Sequence, residues 1–256
     1  MRVIVIVSVL LFIIVTSSFA GDYSAYSRAG IMDWTEQVNG KQIVREIGLS
    51  QEIGVKHKLN YEGVDFTQSI GTWLAELYYD GSKAETGEPY KKITGDVGLK
   101  ANLGVSVPTQ ITDKLTLATI AGVDADAFFR IISGEIWVVT AVKTGVDVTY
   151  DGIEVKGGIL YPFFTSDTAD WSSVGVQGLI TVHPKGLITP FMEMNVKITE
   201  RWTAGAFFEV WSWSASNQVP FRYVGNNPGA ILAKDNVLYQ PDTTVTNSGA
   251  NVIYRF

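Results

Sequence analysis

The chain ends in Ser248-Gly-Ala-Asn-Val-Ile-Tyr-Arg-Phe256, where apolar and polar residues alternate. With the two-residue period of a β-strand, Asn251 and Arg255 share one face. The opposite face carries Ala250, Val252, Tyr254 and Phe256. An aromatic last residue and an apolar face capped by rings are typical of a strand that lies between lipid and a polar lumen. The stretch therefore predicts the closing strand of an all-β fold, a transmembrane antiparallel β-barrel.

The same alternation recurs along the rest of the chain, with turn signals between the segments. It predicts about ten strands, at residues 28–35, 46–59, 66–79, 96–106, 115–130, 138–148, 153–162, 188–198, 203–210 and 248–256. An even strand number places both chain ends on the periplasmic side, with short turns there and longer loops outside. Residues 163–186 favour an extended loop, although 174–182 could form a separate strand and change the count.

The amino terminus has the pattern of an export signal. Arg2 precedes an apolar run from Val3 to Val15, and Ser18-Phe-Ala20 is a small-x-small cleavage site. The sequence predicts that residues 1–20 are a cleaved signal peptide and that 21–256 form a single barrel domain. An uncleaved anchor is the alternative. The chain has no cysteine for disulfides or thiolate ligands, and we predict neither a metal nor a cofactor. A net charge of −6 offers no basic surface for nucleic acid.

Several of these features resemble bacterial outer-membrane β-barrel proteins. The terminal strand, with Phe256 last and Tyr254 two residues earlier, is similar to the signal that the barrel assembly machinery reads. Further runs resemble a poorly characterised small-barrel family, namely Tyr161-Pro-Phe-Phe164, His183-Pro-Lys-Gly186, Thr199-Glu-Arg-Trp202 and Tyr239-Gln-Pro241. The resemblance implies the cell outer membrane as the location, and outer-membrane lipid, lipopolysaccharide and the assembly machinery as partners. It implies no catalytic residue.

Charged residues on the polar faces predict a lumen in which acids and bases are interleaved. The candidate pore or ligand site consists of Asp124, Asp126, Arg130, Lys143, Glu193 and Glu209. We also expect Glu76 in the lumen, opposite a membrane-facing row that runs from Trp73 to Tyr79. One interpretation is an ion-pair network that fills a narrow barrel, because buried charges need partners. The other is a lumen that conducts protons or solutes, or binds a ligand.

The carboxylates of Asp124 and Asp126 share a face, so they could bind a cation or act as acid and base. Alternatively, they form salt bridges to neighbours such as Arg130 or Lys143.

The sequence offers little for catalysis. His57 lies on an apolar face, and His183 lies in a loop with Asp167 and Asp170 as its nearest acids in sequence. The segment 214–246 predicts a long loop, with Trp211 and Trp213 leading into it at the outer interface. Three functions remain open: a non-enzymatic structural or surface-binding barrel, a small pore, and a membrane-embedded hydrolase centred on His183.

Overall fold

A computed structural model describes residues 21–83 and 86–256. The predicted signal peptide lies outside these residues. The strands are β1 (Asp22–Val38), β2 (Lys41–Tyr61), β3 (Val64–Ser82), β4 (Pro89–Gln110), β5 (Leu115–Arg130), β6 (Glu135–Tyr150), β7 (Ile153–Asp170), β8 (Val176–Gln177), β9 (Leu179–Val182), β10 (Lys185–Gly186), β11 (Thr189–Lys197), β12 (Trp202–Ser214), β13 (Val219–Pro220), β14 (Arg222–Tyr223), β15 (Val237–Leu238) and β16 (Asp242–Arg255). A 3₁₀ turn spans Ser172–Val174, and a short helix, α1, spans Ile231–Asp235. Among the described residues, no helix has the length and apolarity that a membrane crossing requires.

Ten of these strands form a closed antiparallel barrel. Each of β1 to β6 pairs with the next, β7 pairs with β11, and β11 and β12 continue the sheet to β16. The sheet closes where β16 pairs with β1, from Ser24 opposite Arg255 to Gln37 opposite Asp242. The predicted fold is therefore confirmed, with the terminal stretch as one side of the closing seam.

The eighth barrel strand is interrupted, which settles the ambiguous segment. β9 pairs with the end of β7, β10 pairs with β12, and β11 pairs with both β7 and β12. Residues 179–182 are thus the upper part of the strand that β11 completes. They do not add a strand, and the barrel count remains ten.

Short turns connect the strands at one end of the barrel, here called the turn end, and longer segments lie at the other, the loop end. Asp151 and Gly152 join β6 to β7 at the turn end, with positive φ angles of 47° and 87°. Such a pair forms the type I′ turn that matches the twist of a hairpin. At the loop end, 171–188 and 215–241 are the long connections.

An apolar band covers the outside of the barrel. Its exposed side chains include Leu49, Ile53, Leu74, Leu99, Val146 and Met192. Exposed rings such as Tyr150 and Trp202 lie toward the turn end. Towards the loop end the band gives way to polar residues, including the Arg45–Asp33 ion pair, Ser166 and Thr168. A continuous apolar surface with aromatic borders is the surface of a membrane-spanning barrel.

The predicted orientation of β3 is wrong. Trp73, Ala75, Leu77 and Tyr79 are buried and face the lumen, and Trp73 is paired with lumen-facing Glu52. Glu76 therefore lies on the outside, between exposed Leu74 and Tyr78. An apolar row on a barrel strand predicts a lipid-facing surface, whereas this lumen has an apolar layer of its own.

Candidate functional site

An aromatic layer crosses the lumen near the loop end. It consists of Trp34, Trp73, Phe128, Trp137, Trp211 and Trp213, which come from β1, β3, β5, β6 and β12. The Trp34 and Trp137 rings meet edge to face with centroids 5.1 Å apart, and the Trp137 and Trp213 centroids are 5.5 Å apart. Trp137 is fully buried. The prediction that Trp211 and Trp213 lie at the outer interface is wrong, because both point inward and complete this layer.

Glutamates on the same strands satisfy the indole N–H groups of three of these tryptophans. Trp34 donates to Glu36 at 2.9 Å, Trp137 to Glu135 at 3.2 Å, and Trp211 to Glu209 at 2.7 Å. Residues two apart on a strand share a face, so each pair is local in sequence. A buried indole needs an acceptor, and this repeated Trp–Glu spacing supplies it without a partner from another strand.

Arg130 lies against the aromatic layer, with Cζ 4.1 Å from the centre of the Trp34 ring. Its guanidinium pairs with three carboxylates, Glu36 at 3.1 Å, Glu135 at 2.6 Å, and Glu46. Glu36 and Glu46 belong to β1 and β2, so the contacts cross the lumen from β5. We call Arg130 and the carboxyl groups of Glu36, Glu46, Asp96, Glu135 and Asp167 the Arg130 cluster. Arg130 and Glu46 are almost completely buried.

A second charged group, the central network, occupies the middle of the lumen. Lys100 pairs with Glu209 at 2.9 Å, and Lys143 lies 3.6 Å from Glu209 and 3.9 Å from Asp124. Asp126 accepts a hydrogen bond from the Trp73 indole at 3.0 Å. Lys143 also lies 4.2 Å from the centre of the Phe191 ring. The network interleaves acids with bases, as the sequence predicted.

Further toward the turn end, a third group joins β1, β11 and β16. Arg28 pairs with Glu193 at 2.8 Å, and the Asn195 amide donates to the other Glu193 oxygen at 2.8 Å. Asn251 of the terminal strand donates to Asn195 at 3.0 Å. Tyr26 lies over the lumen faces of Gly54 and Gly71, where a Cβ at Gly54 would come 2.6 Å from the Tyr26 ring. Glycine is required there because a larger residue would displace the ring.

All six predicted site residues face the lumen, but they do not form one site. Asp124, Lys143 and Glu209 meet in the central network, while Glu193 lies toward the turn end. Arg130 is separated from them by the aromatic layer, and it pairs with Glu36, Glu46 and Glu135 instead of Asp124 or Asp126. Sequence reasoning missed Glu36 and Glu135 as partners of Arg130, and it missed the aromatic layer. The recurrent Trp–Glu spacing was the signal that could have found both.

A cavity of about 50 Å³ lies between the aromatic layer and the central network. Its lining includes Asp96, Lys100, Asp126, Trp73 and Glu209. The volume is sufficient for a few water molecules and too small for an organic solute. It borders both charged clusters because Asp96 belongs to the Arg130 cluster.

Both histidines lie on the outside of the barrel, away from the charged groups of the lumen. His57 stacks on Tyr23 with centroids 4.6 Å apart, on the outer face. The His183 Nδ1 lies 2.9 Å from the backbone oxygen of Thr165. Val182, the neighbour of His183, pairs with Asp167, whose side chain is buried while His183 is exposed. Within residues 21–83 and 86–256, no three Asp, Glu, His or Cys side chains are arranged to hold a metal ion.

The two long connections at the loop end fold together into a lobe. β8 pairs with β14, and β13 pairs with β15. Buried Val176, Ile180, Val182 and Leu232 form an apolar core of the lobe's own. The segment 214–246, predicted as one long loop, is therefore structured between Val219 and Leu238, and β16 begins earlier than expected, at Asp242.

Comparison with known proteins identifies other barrels. The chain is similar to the outer membrane protease OmpT from Escherichia coli, at 10% identity and a TM-score of 0.48, covering 94% of this chain and 100% of that one. It is also similar to an outer membrane channel from Pseudomonas putida F1 (8% identity, TM-score 0.43, 93% and 96% covered). A third similar structure is Neisserial surface protein A, at 8% identity and a TM-score of 0.38, covering 91% of this chain and 97% of that one. No protein-family model matches the chain, and no curated protein matches its sequence. At these identities and TM-scores the likenesses carry no argument, and the fold rests on the chain's own strand pairing.

Proposed function

We propose that this protein is a non-enzymatic outer-membrane barrel with a closed lumen that presents its lobe as a binding surface outside the cell. The observation that carries the proposal is the aromatic layer with Arg130 lying against it. Trp137, Trp34 and Arg130 are each at most 2% exposed, so side chains from opposite walls meet at the lumen centre. A barrel of this size has room for its own side chains and little more.

The ion pairs of the lumen support the proposal that charged side chains fill the barrel. Glu209 has both Lys100 and Lys143 as partners, and Glu193 has Arg28. Charges in such networks are held by partners from several strands, which favours the structural interpretation over a path for mobile ions. Of the alternatives, a hydrolase finds little support, because His183 contacts the backbone carbonyl of Thr165 and lies on the outside of the barrel, away from the lumen carboxylates.

The lobe supports the surface-binding part of the proposal. Its apolar core gives it a defined shape, and it projects from the loop end, away from Asp22 at the start of β1 and from Phe256. In the proposed orientation the loop end faces the exterior and the turn end faces the periplasm. Long connections that are ordered often carry function. The proposed location also makes lipid, lipopolysaccharide and the barrel assembly machinery its first partners.

Planar-bilayer recording of refolded protein tests the closed lumen. We expect no stepwise conductance at neutral pH. Stepwise conductance that the substitution Asp126→Leu abolishes would refute the closed lumen and favour the small pore. A hydrolytic activity toward lipid or peptide that His183→Ala removes would favour the hydrolase instead.

Epitope tags test the orientation. A tag inserted between Asn226 and Gly229 of the lobe should react with antibody on intact cells. A tag in the 199–201 turn should react only after the outer membrane is permeabilised. The opposite pattern would invert the proposed orientation, and labelling of both tags only in a soluble periplasmic fraction would remove the membrane location altogether.

A further inference from the structure

Carboxyl groups outnumber cations in the Arg130 cluster. The titratable groups that face its interior come from seven consecutive strands and are Glu36, Glu46, Tyr79, Asp96, Arg130, Glu135 and Asp167. Among the residues that the structure describes, Arg130 is the only cation paired with them. Three glutamates share it directly, which leaves the two aspartates without an ion pair.

Neither aspartate is satisfied by the protein. Asp96 lies directly opposite Arg130 on the neighbouring strand, yet no side-chain donor from the described residues reaches either of its oxygens. Asp167 lies opposite Trp137, and its Oδ1 also has no donor. Both are at most 5% exposed. A carboxylate buried without a cation or a donor is costly, whereas the protonated acid is much less so.

Asp167 lies near the loop end of β7, between the outward-facing polar residues Ser166 and Thr168. Burial first, and the nearby Glu135 second, raise the pKa of its carboxyl group to about 9. The ionised fraction of such a group rises from about one part in a hundred at pH 7 to about nine in ten at pH 10.

We propose that the Arg130 cluster is a pH-sensitive seal on the loop end of the lumen, closed while Asp167 holds its proton and loosened when alkaline conditions ionise it. With both aspartates neutral, three glutamates and one arginine sum to a charge of −2. Ionisation of Asp167 adds a further negative charge in a buried space. Like charges at this density repel one another strongly in a medium of low dielectric constant.

The residues on the outer and inner sides of the Arg130 cluster indicate which spaces would be connected when the cluster opens. On the outer side, buried Gln240 donates to Thr243 at 2.9 Å and also interacts with Glu36. On the inner side, Asp96 lines the cavity that reaches Lys100 and Glu209. Separation of the acids would therefore admit water from the exterior to the cavity and, through it, to the central network.

Two measurements on refolded protein in lipid bilayers test the proposal. Acrylamide quenching of tryptophan fluorescence reports water access, since Trp34, Trp137 and Trp213 lie directly beneath the cluster. Single-channel recording reports whether the opened lumen conducts. We expect quenching to rise between pH 7 and pH 10, with a midpoint near the pKa of Asp167, and to reverse when the pH is lowered again.

The double variant Asp96→Asn, Asp167→Asn cannot ionise at either position and should show no rise. Asp147→Asn is the matched control, because Asp147 also faces the lumen but lies near Lys156 toward the turn end. It should respond as the wild type does. Titration of lysine or tyrosine residues elsewhere would persist in the double variant and is thereby separated from the seal.

The proposal is overturned if wild-type quenching is the same at pH 7 and pH 10, or if the double variant responds like the wild type. Quenching that rises without any current still supports the seal and shows that the central network blocks ions. Conductance at pH 7 would contradict the closed lumen proposed above, whereas absence of the pH response contradicts the seal alone.

Discussion

The substitution Arg130→Met would remove the guanidinium on which three buried glutamates depend. Arg130 is 2% exposed, its ion pairs to Glu36 and Glu135 measure 3.1 and 2.6 Å, and it also pairs with fully buried Glu46. Removal of one partner from a buried ion pair costs about 3–5 kcal/mol, because the other charge is left uncompensated. Methionine retains most of the contact with Trp34, so the loss reflects the charge. We expect the unfolding free energy to fall by about 4 kcal/mol.

Equilibrium unfolding in urea, followed by tryptophan fluorescence in lipid vesicles, measures this change. With a slope of about 2 kcal/mol/M, a loss of about 4 kcal/mol lowers the midpoint by about 2 M. Arg45→Met is the matched control. Arg45 pairs with Asp33 at 2.7 Å on the outside, but their side chains are 43% and 30% exposed. An exposed pair contributes at most about 1 kcal/mol, so the control should shift the midpoint by less than about 0.5 M.

A rescue variant identifies the cause. Glu36→Gln, Glu46→Gln and Glu135→Gln remove the three charges but keep oxygens that can accept hydrogen bonds from Trp34 and Trp137. Combined with Arg130→Met, they should recover at least half of the lost stability, since the interaction energy of neighbouring groups is not additive. If Arg130→Met shifts the midpoint no more than Arg45→Met does, the guanidinium does not hold the loop end together and this account of the cluster is incorrect.

Three further outcomes follow from the fold. Trp137→Ala should lower the unfolding free energy by about 3–5 kcal/mol and admit ions through the layer, measured by urea unfolding and single-channel recording. An unchanged midpoint would show that the layer is dispensable. Glu76→Leu should leave stability unchanged or raise it by up to about 1 kcal/mol, because it removes a carboxylate from the apolar band. A clear loss of stability would contradict the outward position of Glu76 and indicate that it faces the lumen. Deletion of Phe256 should reduce the amount of assembled barrel in cells, scored by heat-modifiable gel mobility, without preventing refolding of the purified chain in detergent. If the deletion variant and the wild type assemble equally in cells, Phe256 is not part of the assembly signal.

The fold could be predicted because alternation is a local property that every outward face repeats. On β4, Val97 and Leu99 face outward and Asp96 and Lys100 face inward, as their chemistry indicates. The rule failed on β3, where Trp73 and Leu77 are apolar but face the lumen. Sequence alone cannot separate lipid from an apolar layer inside the barrel, because both accept the same side chains. Only the pairing of Trp73 with Glu52 decides the face.

The candidate site was predicted in its parts and not in its arrangement. The inward direction of Asp124, Arg130 and Glu209 follows from strand periodicity alone. Which of them meet depends on the stagger between strands and on barrel closure, and no local pattern encodes these. For this reason Arg130, six residues from Asp124 and one of its possible partners by sequence, pairs instead with carboxylates of β1 and β2.

The contacts in the lumen are of two kinds, between residues close in sequence and between residues far apart in sequence. This difference predicts the order in which they form during folding. Each Trp–Glu hydrogen bond joins residues two apart, so it can form as soon as a single strand is extended. The contacts of Arg130 to Glu36 and Glu46 span 94 and 84 residues. They require the curvature of the finished sheet. When folding is sampled with pulses of denaturant or protease, the indoles should therefore be hydrogen-bonded early and Arg130 should stay unpaired until late. The pairing of this arginine then marks the completion of the barrel.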